Sequence, residues 1–231
     1  MRRAALIATV LFLSSVAFAQ NQTGDAVEVK SKGSYILTKG DSKEKARAVS
    51  LFKAKRNALE SAIQGAWSND PVKIWGARKD EILSLAAREI QVRKITEKWK
   101  PSGENVECVI QIDSTVRASD FIAAEILNQK LLKENIDDSF REEMEQDILT
   151  EIDPGKEIAK AYRFIRRRYH RMAVIYLDHL EKKYPNWDDI YMAKAIANAA
   201  LDESFMVKED LEKACRLGNK KACEDLKGLQ P

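Results

Sequence analysis

Between Ala26 and Leu37, Val27 and Val29 alternate with Glu28 and Lys30, and Tyr35-Ile36-Leu37 closes the run. This period of two predicts a β-strand. Gly40 breaks the pattern. Asp41, with Glu44 three residues later, predicts an N-cap and a partial capping box. A long helix follows to about Gly65. Val49, Phe52, Leu59 and Ile63 share one face, with Ala46, Ala62 and Ala66 beside them. The other face carries Lys45, Arg47, Lys53, Lys55 and Arg56 and reads as solvated surface. Asn69-Asp70-Pro71 marks a turn. A second helix is predicted over 80–89, with Ile82, Leu83 and Ala86 as its apolar stripe. A β-hairpin comes next, with strands over 90–99 and 105–116 joined by Lys100-Pro101-Ser102-Gly103. Val106, Cys108, Ile110 and Ile112 alternate with Glu107, Gln111 and Asp113, so Cys108 belongs with the core as a structural thiol. The order strand, helix, helix, strand, strand predicts a small α+β domain. Its sheet, antiparallel or mixed, is covered on one face by helices.

The period then changes. Residues 118–153 contain no Gly and no Pro. Phe121, Ile122, Ile126, Leu127 and Leu131 predict an amphipathic helix. Ile136, Phe140, Met144, Ile148 and Ile152 recur every fourth residue, a spacing that drifts by roughly 40° per step around a helix. With Asp137, Asp138, Glu142, Glu143, Glu145, Asp147 and Glu151, this reads as an acidic connecting helix. From Pro154-Gly155 onward the pattern is helical to the end. Ala159, Tyr162, Phe164 and Ile165 mark one helix, and Ala173, Tyr176, Leu177 and Leu180 the next. Tyr184-Pro185 stops that helix. Helices over 190–201, 207–217 and 220–229 complete the chain. The predicted organisation is 1–19 leader, 20–118 α+β domain, 119–153 acidic connecting helices, and 154–231 all-α helical repeats.

The leader is expected from Arg2 and Arg3, a short apolar run over 4–18, and Ala17-Phe18-Ala19 as a small-x-small cleavage pattern. The run is shorter than the roughly 20 apolar residues a spanning helix needs. No later segment is long and apolar enough to span, and no Cys stands at the cleavage site to take a lipid. The expected location is therefore the periplasm. Removing Arg2 and Arg3 turns the net charge of +3 into +1. A near-neutral chain argues against a nucleic-acid partner, which calls for a basic excess or stripe.

Catalytic chemistry has little to stand on. The two histidines, His170 and His179, fit no metal-ligand spacing. No Gly-rich phosphate loop and no G-x-S-x-G elbow is present. The sequence therefore predicts no enzyme, no cofactor and no metal site. Cys215 and Cys223 lie eight residues apart. On one continuous helix they would be roughly 12 Å apart, beyond the ~7 Å a disulfide tolerates. Gly218-Asn219 lies between them, a C-terminal glycine followed by a good N-cap. A tight helical hairpin there predicts a structural Cys215–Cys223 bridge, with Cys108 left over. Arg166-Arg167-Arg168-Tyr169-His170-Arg171 is the one dense basic run. Arg166, Arg167, Arg168 and Arg171 are the candidate partner-binding residues, for an acidic protein or phospholipid headgroups.

Two stretches resemble known families. Tyr35-Ile36-Leu37 through Gly40-Asp41, then Ala46-Arg47 and Ala54-Lys55-Arg56-Asn57-Ala58-Leu59-Glu60, resembles the small bacterial domain shared by the N-terminal part of the flagellar assembly protein FlgT and a family of small surface lipoproteins. That resemblance covers about 26–118. It implies envelope or flagellar assembly and no catalysis, although the lipoprotein Cys is missing. Over about 154–229 the chain is similar to tetratricopeptide and Sel-one-like repeats. Ala161, Phe164, Ala173, Leu177 and Pro185 stand at the spacing of one tetratricopeptide unit. Ala195 follows Ala161 by 34 residues, and Ala214 fits the next unit. Lys213-Ala214-Cys215-Arg216-Leu217-Gly218-Asn219 and Ala222-Cys223 resemble the cysteine-bridged Sel-one-like form. Asn198 departs from the pattern, where an aromatic is usual. Stable arrays need about three repeats, so these would dock on the acidic helix or on another subunit, and self-association stays open.

The expected function is a periplasmic, non-catalytic interaction or assembly protein that binds an envelope protein through its helical repeats. The alternative is a ligand-binding module for a small molecule or envelope polymer, with Trp67, Trp75 and Trp99 as pocket walls.

Overall fold

A computed structural model of the chain describes residues 26–66, 79–131 and 152–229. The expected leader, Trp67, Trp75, the Asn69-Asp70-Pro71 turn and the stripe from Ile136 to Ile148 lie outside the described residues. Three strands, β1 (Ala26–Leu37), β2 (Gln91–Ser102) and β3 (Asn105–Arg117), form an antiparallel sheet in the order β1-β3-β2. The best-alternating strand, β3, is the central one. Cys108, Ile110, Ile112, Ser114 and Val116 are buried on its covered face. The hairpin turn is shorter than expected. Ser102 pairs with Asn105, leaving only Gly103 and Glu104 in the loop, and Gly103 takes φ +61°. A two-residue hairpin loop with a left-handed first position suits glycine. Pro101 therefore lies within β2, tolerated because β2 is an edge strand. A bulge between Val92 and Lys94 resets the pleat.

The long helix α1 (Lys43–Ala66) crosses the covered face, burying Ala46, Val49, Phe52, Ala54, Ala58, Leu59 and Ile63. Its cap differs from expectation. Ser42 Oγ accepts from Lys45 N at 3.1 Å. Asp41 instead accepts from the Thr38 N–H and hydroxyl and from the Tyr35 hydroxyl, holding the turn out of β1. Where α1 passes β1 the backbones nearly touch: a Cβ on Gly33 would lie 2.3 Å from the Ser50 carbonyl oxygen.

Seven more helices are described: α2 (Lys79–Glu89), α3 (Ala118–Leu131), α4 (Pro154–Arg166), α5 (His170–Lys183), α6 (Asp188–Ala199), α7 (Ser204–Arg216) and α8 (Lys220–Gly228). One hydrophobic core runs without interruption from Tyr35, Cys108 and Ile110 in the sheet, through α1 and α2, to Ile158, Phe164, Leu177 and Trp187. Trp187, fully buried, meets Phe52 of α1 edge to face at 5.5 Å and Tyr184 at 5.4 Å. A smaller cluster joins α6 to α8 through Tyr191, Leu211, Ala214 and Ala222. The helices also keep a regular interval. Pro154 and Asp188, the first residues of α4 and α6, are 34 apart, as are His170 and Ser204, which open α5 and α7.

The basic face of α1 is therefore not plain solvated surface. Lys53 pairs with Asp188 at 2.6 Å, and Arg56 pairs with Asp80 at 2.7 Å and Asp189 at 3.2 Å. Lys45 donates to the Lys183 carbonyl at 2.7 Å. Three of its five cations form the seam on which the C-terminal helices dock.

Candidate interaction surface at the helical turns

The α4–α5 turn is set by its backbone. Arg168 N–H donates to Ile165 O and Tyr169 N–H to Phe164 O, both at 3.0 Å, while Arg168 takes φ 64°. This closes α4 with a left-handed residue and satisfies two of its last carbonyls. The α6–α7 turn repeats the arrangement, with Asp202 (φ 61°) donating to Ala199 O and Glu203 to Asn198 O. The α7–α8 turn repeats it again, with Gly218 (φ 99°) to Cys215 O and Asn219 to Ala214 O. Glycine holds this conformation without strain, whereas a side chain costs about 1–2 kcal/mol there. Asp is among the residues that tolerate it; Arg is not.

Arg168 lines a shallow, open cleft of about 340 Å³ together with Tyr169, His170, Arg171, Met172 and Leu201. Leu201 brings in the neighbouring α6–α7 turn. Arg168, Tyr169 and Arg171 are exposed. Tyr169, the N-cap of α5, makes no side-chain capping bond to the first N–H groups of that helix. The buried Nδ1 of His170 has no hydrogen-bond partner among the described residues. Two guanidinium groups, an uncapped helix start and an apolar wall of Tyr169, Met172 and Leu201 share one opening. That combination attracts a carboxylate or phosphate carried next to an apolar group.

The other expected arginines do not line it. Arg166 Nε donates to Glu81 Oε2 at 2.7 Å, with Arg163 on the same carboxylate at 3.4 Å; the Glu81 side chain is 1% exposed. Arg166 thus clamps α4 to α2. Arg167 closes α4, its N–H bonded to Arg163 O. Trp99 is half-buried beside β3, its indole N–H on Glu97 and Lys43 over its ring.

Cys215 and Cys223 are bridged, with Cα atoms 4.8 Å apart. Gly218 and Asn219 act as the sequence indicated: Asn219 Oδ1 accepts from Ala222 N at 3.0 Å. Its Nδ2 also reaches Asp188 at 3.3 Å, tying the bridged hairpin to the α1 seam. Cys108 is free and buried, and burial pushes its thiol up.

Two further buried charge groups among the described residues carry no clear sequence pattern. In the seam, burial opposes charge on Arg56, but Asp189, Tyr162, Asp80 and Glu60 outweigh it and keep it protonated. Burial pushes the Asp188 carboxyl up against the pull of Lys53. The Trp187 indole donates to Asp189 at 2.9 Å. Further along, Lys194 meets Asp178 and Glu181 at 2.8 and 2.7 Å, and Asn198 donates to Asp210 at 2.8 Å. Burial raises the Asp210 carboxyl to about 6, with Lys194 and Asn198 acting against the rise. The available signal was Trp187-Asp188-Asp189, two carboxylates beside a large aromatic at a helix start.

Among the described residues no group of three or more His, Cys, Asp or Glu is placed to hold a metal ion, and no helix is long and apolar enough to cross a membrane. Compared with protein-family models, curated proteins and solved structures, the chain shows no significant match to any of them.

Proposed function

We propose that this chain works in the periplasm as a non-catalytic adaptor, holding an acidic, partly apolar segment of an envelope protein in the cleft between the α4–α5 and α6–α7 turns. The observation that carries the reading is Arg168: a side chain kept in a left-handed position, where glycine would be relaxed, lining a basic and apolar opening. Strain retained at such a place points to a use for the side chain. Arg171 and the start of α5 supply the remaining positive field.

The 34-residue interval supports reading α4–α5 and α6–α7 as two tetratricopeptide-like units, closed by the bridged α7–α8 hairpin in the Sel-one-like manner. The repeats dock on α1 as well as on each other, which supplies the burial a third unit would otherwise give. The leader expected from the sequence and the resemblance of 26–118 to the FlgT and lipoprotein domain support a role in envelope or flagellar assembly.

The test is a titration of a fluorescent peptide of alternating Glu and Leu into the purified chain from Gln20 onward, at increasing salt. Binding weakens with salt and falls about tenfold in Arg168→Glu/Arg171→Glu, the loss of one or two charge-assisted contacts. Arg168→Gly also weakens it while raising stability by ~1 kcal/mol, because the strain leaves with the side chain. Unchanged binding in the charge-reversed protein contradicts the reading.

A further inference from the structure

The side of the sheet away from α1 carries a second basic surface. Residues in register with Asp113, Gln111, Val109 and Glu107 of β3 point to that side, opposite to Cys108 and Ile110. They are Lys30, Lys32, Ser34 and Ile36 of β1, and Lys94, Thr96, Lys98 and Lys100 of β2. Glu28 is taken by Arg93, and Lys100 by Glu107 at 3.4 Å. Lys30, Lys32, Lys94 and Lys98 are exposed, and none of the four has an ion pair among the described residues. The chain from Gln20 onward is nearly neutral at +1, so these four lysines are a local concentration and not a share of a general excess.

We infer that this open sheet face docks on a surface of anionic phospholipid. Three features favour a lipid surface over a single acidic polymer. The cations stand on both edge strands; Lys30 and Lys94 flank Asp113 across two strand spacings, roughly 10 Å. A polyanion laid along the middle of the sheet would meet Asp113 and Glu107, whereas headgroups spread in two dimensions meet the lysines on either side. Secondly, the free cations are all lysines, which act as hydrated point charges, while the forked arginines that recognise one phosphate or carboxylate are absent from this set. Thirdly, no aromatic side chain stands in these register positions to stack a sugar or base. Long lysine stems can lie over Val109 and Ile36 with their ammonium groups in the headgroup layer.

The experiment is flotation of the purified chain with phosphatidylcholine vesicles, with and without phosphatidylglycerol. The inference expects recovery on phosphatidylglycerol vesicles at least about tenfold above that on neutral ones, and its loss at high salt. Changing Lys30, Lys32, Lys94 and Lys98 together to Gln abolishes it, while changing the same four to Arg retains it. Arg168→Glu/Arg171→Glu leaves flotation unchanged, so failure here is distinct from failure of the cleft. Equal flotation of the wild type and the Gln variant, or recovery no better on anionic than on neutral vesicles, overturns the inference. So does polyglutamate displacing the chain from vesicles at equal anionic charge, which would assign the face to an acidic polymer.

Discussion

At the scale of single residues, the fold depends on a few positions where space or charge leaves one solution. Gly33 is the sharpest. A Cβ there would fall 2.3 Å from a backbone oxygen and 2.4 Å from the Ala54 nitrogen, neither of which can rotate away. Gly33→Ala should therefore push α1 off β1 and destabilise the protein by about 1–3 kcal/mol or more, measured by urea unfolding. Asp210 gives a pH prediction. Its folded carboxyl titrates near 6, above the ordinary 3.8, so the native state binds more protons than the unfolded chain between those values. This contribution is complete below about pH 4 and is lost as pH rises through 6. Asp210→Asn removes that loss, so its stability should gain on the wild type as pH is raised from 4 to 7. A constant difference across that range would contradict the assignment. Little of this was legible in the sequence. Asp41 satisfied the N-cap pattern, yet Ser42 caps α1, because Asp41 is claimed by Thr38 and Tyr35 of the preceding strand.

At the scale of elements, periodicity was a good guide. The first strand was read to its observed ends, the second helix to within a residue, and Cys108 in the core, because each element presents one apolar face at a constant interval. The hairpin loop is where the pattern misleads: Lys100, Pro101 and Ser102 look like turn residues but pair at the end of an edge strand. The bridged α7–α8 turn was legible in full, since Gly218 and Asn219 are the residues that end and begin helices. Thiol titration checks it. The native protein should show no reactive thiol, the denatured protein one, from Cys108, and the denatured and reduced protein three. Replacing Cys215 and Cys223 with Ser should lower stability by roughly 2–3 kcal/mol.

At the scale of the whole molecule, the sheet and the C-terminal helices share one core, which the sequence did not reveal. The basic face of α1 and the acidic start of α6 are each unremarkable as surface patterns. They become informative only once folding brings residues more than a hundred positions apart into contact. Removing one partner of such a buried pair costs about 3–5 kcal/mol. Trp187 fills the same seam against Phe52 and Tyr184, so Trp187→Ala should cost ~3–5 kcal/mol. Near- and far-ultraviolet signals should still melt together, since no part has a core of its own large enough to persist. Two separated transitions in the wild type would contradict a continuous core.

The proposed recognition of a partner at the α4–α5 turn is tested most directly by placing a photo-crosslinking amino acid at Tyr169, which is 45% exposed and lines the cleft, and irradiating intact cells. The adaptor reading predicts a discrete adduct with one envelope protein that disappears when Arg168 and Arg171 are reversed to Glu in the same chain. An adduct unaffected by that reversal, or none above the level seen with the same probe at exposed Lys227 of α8, would contradict it.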